Sequence, residues 1–234
     1  MKTLAIFLGL AFQCAAAIAH VGSAANNANS TTVVITLTTS TGNTIACAAA
    51  IRTTTTVVAS VTDTGGSTYT QALGANNGTN ARMEVWWTAV NASVASTSIT
   101  VTISPTGKFA ASCGEYSGIV SLGTCASGTG SAANPTISKT TVDNDNWIFA
   151  GFSHQNTGTA TAGTGNLRAT SATSGGAGAS NVGTAGNDNT SATPASVTNT
   201  VTWAAQTWVA VACEFRTVAP AVAGIGWYGK SGYF

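Results

Sequence analysis

A chain of 234 residues with eight basic and seven acidic side chains has room for one substantial core but carries almost no charge. Charged residues make up 6% of it, against about a quarter in ordinary soluble domains, while Thr occurs 41 times and Gly 26 times. A formal charge of +1 excludes a nucleic-acid binder that works by neutralising phosphates. The scarcity of Glu, Lys and Leu heptads excludes a coiled coil, and the wealth of β-branched residues excludes a disordered polyelectrolyte.

The N-terminus reads Met1-Lys2, a mostly apolar stretch over residues 3–12, then Gln13-Cys14 and an alanine-rich end at Ala15-Ala16-Ala17-Ile18-Ala19. This is the pattern of a secretory signal, and the apolar run is shorter than the roughly 18–20 residues that span a bilayer. The expected organisation is a signal or N-terminal segment over 1–19, one domain over 20–216 and an aromatic tail over 217–234. The mature chain is expected outside the cell or on its surface, without a membrane span. Without Cys14, four cysteines remain: Cys47, Cys113, Cys125 and Cys213. They pair in three ways. Cys113 and Cys125 flank a Gly-containing turn and would close a small loop; Cys47 and Cys213 sit in apolar runs and would staple neighbouring strands. Buried free thiols are the alternative.

Beyond the leader the hydropathy alternates with period two and shows almost no helical period. In chain order, strands are expected over 32–38, 44–51, 57–62, 68–72, 83–89, 97–103, 109–116, 146–153, 197–203 and 207–215, rich in Val, Ile, Thr and aromatics. Asp63-Thr64-Gly65-Gly66 reads as a tight turn between two strands of a hairpin, with Asp63 accepting local N–H groups. The stretch 156–194 is poor in large apolar residues. Thin strands are expected there over 166–173 and 177–182, joined at Gly175-Gly176, among mobile loops.

Two halves resemble each other at a spacing near 100 residues. Thr44-Ile45-Ala46-Cys47-Ala48 answers Trp147-Ile148-Phe149-Ala150-Gly151, and the strand pair ending Glu115-Tyr116 answers the pair ending Glu214-Phe215. The expected fold is all-β: an antiparallel β-sandwich, jelly-roll-like, with about ten or more short strands in pseudo-symmetric halves.

The segments Asn43-Thr44-Ile45, Val61-Thr62-Asp63-Thr64-Gly65-Gly66-Ser67-Thr68-Tyr69, Val85-Trp86-Trp87, Thr100-Val101-Thr102, Glu115-Tyr116-Ser117-Gly118 and Trp208-Val209 to Glu214-Phe215-Arg216 resemble an uncharacterised family of Thr/Gly-rich β-sandwich domains. Its members are exported bacterial and phage-associated proteins. The resemblance covers roughly residues 18–216. It implies a β-sandwich and an extracellular or virion setting, places His20 inside the first strand as an ordinary side chain, and carries no catalytic residues.

Candidate chemistry is sparse. Cleavage after Ala19 would expose His20 as the N-terminal residue, whose amine and imidazole, with His154, would give a copper ligand set. That arrangement is similar to the histidine brace of copper monooxygenases. Asp143-Asn144-Asp145-Asn146 offers oxygen ligands but fails the EF-hand pattern and reads as an Asx-rich turn. Glu115 and Glu214 occupy matching places, as a glycosidase pair would require across a cleft, but symmetry alone accounts for that. Trp86 and Trp87 point to opposite strand faces, so one is a candidate sugar platform. Asn29, Asn77, Asn91 and Asn189 lie in N-x-[ST] sequons. Trp227, Tyr228, Tyr233 and Phe234 make the tail a candidate assembly contact.

The leading expectation is a non-enzymatic structural subunit of a filament, surface layer or virion, with no metal or cofactor, whose partners are copies of itself. A carbohydrate-binding or adhesion module with a surface glycan as partner is second, and the copper enzyme third.

Overall fold

Alternating Thr and aliphatic residues make strands, and strands are the only regular elements among the described residues of the computed structural model, which are 17–90, 93–155, 158–173 and 181–217. The first half holds β1 (Ala19–Thr39), β2 (Thr44–Ile51), β3 (Val57–Asp63), β4 (Tyr69–Asn77), β5 (Ala81–Thr88) and β6 (Ser96–Ser117). The second holds β7 (Ser121–Gly130), β8 (Thr136–Thr140), β9 (Asn146–His154), β10 (Thr161–Ala162), β11 (Asn166–Ala172), β12 (Gly183–Ser191), β13 (Ser196–Thr202) and β14 (Trp208–Arg216). Every pairing is antiparallel.

The all-β antiparallel fold is as expected from the alternation, and the internal repeat is visible in the topology. One half orders its strands β1-β6-β2-β5-β4, with β3 also on β6; the other orders them β7-β14-β9-β12-β11, with a separate sheet β8-β13-β10. The long β1 and β6 of the first half therefore correspond to β7 plus β8, and to β13 plus β14, in the second. Each half lays a three-stranded layer on a five-stranded one. In the first half a single continuous sheet does this by running β1 and β6 through both layers.

Three apolar clusters fix the layer order. One lies between the layers of the first half, around Ile35, Ile45, Ile99 and Phe109. One lies between the layers of the second, around Ile148, Phe152, Val197 and Trp203. The third lies between the two five-stranded sheets, around Met83, Tyr116, Phe149, Val211 and Phe215. The stack is thus three, five, five and three strands. Its two middle sheets are covered on both faces, so β2 is buried along its whole length and reads Thr-Ile-Ala-Cys-Ala-Ala-Ala-Ile rather than alternating with polar residues. Ala46, Ala48 and Ala50 turn to the seam between the halves, while Ile45, Cys47 and Ile51 turn to the first half's own core. Small residues let the sheets approach: a Cβ on Gly151 of β9 would stand 2.6 Å from Ala48 Cβ and 3.0 Å from Met83 Sδ.

Packing across the seam obeys the same pseudo-two-fold. β1 lies against β11 and β7 against β4, while β2 meets β9, the reciprocal contact pattern of an isologous interface. Tyr116 is central to it, with ring centroids 5.1 Å from Phe215 and 6.1 Å from Phe149. Such aromatic pairs contribute about 0.5–1.5 kcal/mol each beyond their buried area.

Several local expectations are corrected. The turn at Asp63 forms, with Asp63 Oδ1 accepting from the Gly65 and Ser67 N–H groups and Gly66 at φ +84°. It does not close a hairpin: β3 pairs with β6 and β4 with β5, so the turn carries the chain from the outer layer to the inner one. Residues 97–103 and 109–116 belong to one strand, β6. The thin strand expected over 177–182 lies mostly outside the described residues; the next described strand is β12, which begins at Gly183 and sits centrally in its sheet. The disulfides are Cys47–Cys113, joining β2 to β6, and Cys125–Cys213, joining β7 to β14. Both link residues directly opposite in register, so the small loop Cys113–Cys125 and the staple Cys47–Cys213 do not form.

Candidate functional site

The three glutamates are all buried, and each is surrounded by donors. Glu115 Oε1 accepts from Ser40 N–H and Asn43 Nδ2, both at 2.6 Å. Its counterpart Glu214 accepts at Oε1 from Val142 N–H and Asn146 Nδ2, both at 2.8 Å, and at Oε2 from Arg216 Nε at 3.2 Å. Each acid clamps the loop that enters the first inner strand of its own half. Glu115 alternates in register with Cys113, and Glu214 with Ala212, so each carboxylate faces its own half's core, with the seam between them. They do not face one another across a cleft. Glu84 accepts from Val58 N–H, Gln71 Nε2, Arg82 Nε and Trp86 Nε1, and so ties the outer strand β3 to β4 and β5.

The densest polar cluster is at the seam. Asp188 of β12, fully buried, accepts from Tyr116 Oη at 2.9 Å, from Arg168 Nε at 2.6 Å and Nη2 at 2.8 Å, and from Asn166 Nδ2 at 3.2 Å. Arg168 also lies over the Trp147 ring, 5.9 Å from its centroid, and Tyr116 packs edge-on against His20 at 5.5 Å. Burial, and then the neighbouring Asp188 carboxylate, holds the Tyr116 hydroxyl protonated well above the ordinary phenol range. Burial and the adjacent Arg168 guanidinium lower the His20 pKa, so its imidazole stays neutral. A bidentate Arg–carboxylate pair whose remaining lone pairs are taken by Tyr and Asn is fully satisfied. It joins β6 of one half to β11 and β12 of the other and has no vacant acceptor to offer a substrate. Neither Arg168 nor Asp188 stands out in the sequence: Arg168 falls in the thin strand expected over 166–173, and the neighbours of Asp188, Gly-Asn-Asp-Asn-Thr, look like a loop.

The two histidines are not brought together. His20 lies against Tyr116, which also packs against Trp147 at the start of β9. His154 ends that strand, seven residues further along and therefore roughly 23 Å away at the usual rise. It is buried and stacked on Trp203 at 4.7 Å, and its Nε2–H donates to the Ala204 carbonyl at 2.7 Å. Burial lowers its pKa despite that hydrogen bond. Among the described residues no three His, Cys, Asp or Glu side chains converge, and the copper ligand pair is not assembled.

Asp143-Asn144-Asp145 is a turn, with Asp145 at φ +57° and Asp143 3.8 Å from Arg216. It borders an open surface cavity of about 500 Å³, also lined by Ala17, Pro194 and Thr217. Trp87 is buried against Phe215, and Trp86 is half-buried with its N–H on Glu84. Trp203 is buried, and Trp147 and Trp208 are half-buried. Among the described residues, then, no tryptophan is exposed as a flat platform. Two sequon side chains are engaged: Asn77 Nδ2 donates to the Gly130 and Trp208 carbonyls across the seam, and Asn189 Nδ2 to Thr198. The candidate assembly contacts Trp227, Tyr228, Tyr233 and Phe234, and Asn91, lie outside the described residues.

No family model, curated protein or solved structure matches the chain. Two intramolecular disulfides suit an oxidising compartment.

Proposed function

We propose that this protein is a non-enzymatic extracellular structural subunit that builds or decorates a surface assembly such as a filament, surface layer or virion. The observation that carries this reading is where the carboxylates go. Glu84, Glu115, Glu214 and Asp188 each hold strands or loops in place. Asp63 does the same for its turn, with Tyr69 Oη on Oδ2 at 2.9 Å. With so few charges in the chain and these turned inward, the outer layers present Ser and Thr. Edge strands guarded by few lysines favour coverage by partners. Two disulfides and a signal-like N-terminus support export. The test is size-exclusion chromatography of the secreted protein over a range of loads. Elution that moves to larger species with load is expected; a load-independent monomer counts against the reading.

A further inference from the structure

The outermost layers of the stack, β1–β6–β3 at one end and β8–β13–β10 at the other, carry hydroxyl residues in cross-strand register. On the first, Thr32 is opposite Thr102, which is opposite Ser60; Thr100 lies between Val34 and Thr62; and Thr36 is opposite Ser98. On the second, the register aligns Thr136 with Thr200 and Ser138 with Thr198, continuing to Thr140 with Ser196 and Thr202 with Thr161. No outward-facing position on these strands is charged: Lys139 is half-buried and its ammonium caps the Thr140 carbonyl. We propose that these two hydroxyl faces are the surfaces through which copies of the chain stack end to end.

Three physical points favour a second copy as the occupant. First, hydroxyls both donate and accept, so such a face is complementary to itself, and no like charge opposes the approach. Second, the second face already pairs its hydroxyls laterally: Ser138 Oγ and Thr198 Oγ1 are 2.8 Å apart, and the Thr136 and Thr200 hydroxyls are hydrogen-bonded to each other. Those two bonds engage two of the eight hydroxyl donors within the face, which lowers the desolvation cost of covering it. On the first face the half-exposed Val34 adds apolar area. Third, the pseudo-two-fold places two like faces at opposite ends, so each added copy presents a fresh face, the condition for open growth rather than a closed pair. Three strands at about 4.8 Å spacing and seven residues at about 3.3 Å give a footprint of roughly 300 Å². That is well under the about 800 Å² per partner of a stable complex, so a single contact is weak and growth needs high local concentration.

The inference rests on the subunit reading above, and its test separates the two. Thr100→Lys blocks one face, Thr198→Lys the other, and both positions face solvent. Circular dichroism and intact disulfides check the fold. By light scattering and electron microscopy at high concentration, the wild type is expected to form extended polymers. Each single variant stops at dimers closed through the remaining face, and the double variant is monomeric. Mixing the double Lys variant with Thr100→Glu/Thr198→Glu restores polymers. Polymers that persist in the double Lys variant overturn the face assignment and leave the subunit reading standing. A wild type that stays monomeric overturns both.

Discussion

Replacing Asp188 by Asn removes the charge at the centre of the seam while keeping its shape. In the wild type this carboxylate accepts four hydrogen bonds, two from Arg168, one from Tyr116 and one from Asn166. Removing one partner of a buried ion pair costs about 3–5 kcal/mol because the other charge is left uncompensated. Arg168, however, keeps 23% of its side chain exposed against none for Asp188, and water screens a half-open guanidinium. The expected loss is therefore about 2–4 kcal/mol, or roughly 4–16 °C in Tm for a chain of this size. Urea denaturation of the oxidised protein measures it. The double variant Asp188→Asn/Arg168→Met should lose less than the sum of the single variants, since no charge is then left without a partner. A loss under about 1 kcal/mol for Asp188→Asn would refute the assignment of Asp188 as the hub that ties Tyr116 of one half to β11 and β12 of the other.

Other consequences are as direct. Gly151→Ala pushes a methyl into Ala48 and Met83 across the seam and should cost about 1–3 kcal/mol; a neutral outcome would mean that the two middle sheets are not so closely stacked. Peptide mapping without reduction should recover Cys47 linked to Cys113 and Cys125 linked to Cys213. Their loops of 66 and 88 residues put the loss on reduction at about 4.5 kcal/mol per bridge by loop-closure entropy. A Cys113–Cys125 peptide would contradict the strand order. Ile18 is buried in the seam cluster while Ala17 is exposed, so N-terminal sequencing of the secreted protein should show Ile18 retained; a start at His20 would show that the core does not need it.

Much of this architecture was legible in the chain, and the parts that were not share one cause. Residues 44–51 coincide with β2 because Ile and Cys alternate with Ala there, and the likeness of 44–48 to 147–151 and of Glu115-Tyr116 to Glu214-Phe215 announced the repeat. β7 and β12 were missed because Ser121–Gly130, apart from Leu122, and Gly183–Ser191 are small or polar. β7 is an edge strand, and β12 buries Asp188, whose partners come from the neighbouring strand β11 and, through Tyr116, from the opposite half. Such residues look like loop until the partner sheet is in place. The Asp63 turn was readable from Asp-Thr-Gly-Gly, but a turn's geometry does not say which sheet the next strand joins. For the same reason the cysteine pairing followed from strand order rather than from spacing: Cys47 meets Cys113 because β2 lies beside β6. The glutamates looked like a catalytic pair only because pseudo-symmetry places like residues at like positions; the structure turns each into its own half.

A structural subunit of this kind must associate with copies of itself. Sedimentation velocity of the secreted, disulfide-intact protein over a wide concentration range is the direct measurement. Growth of fast-sedimenting species with concentration, reversible on dilution, is the predicted result. A single boundary at the monomer mass at every concentration would contradict it.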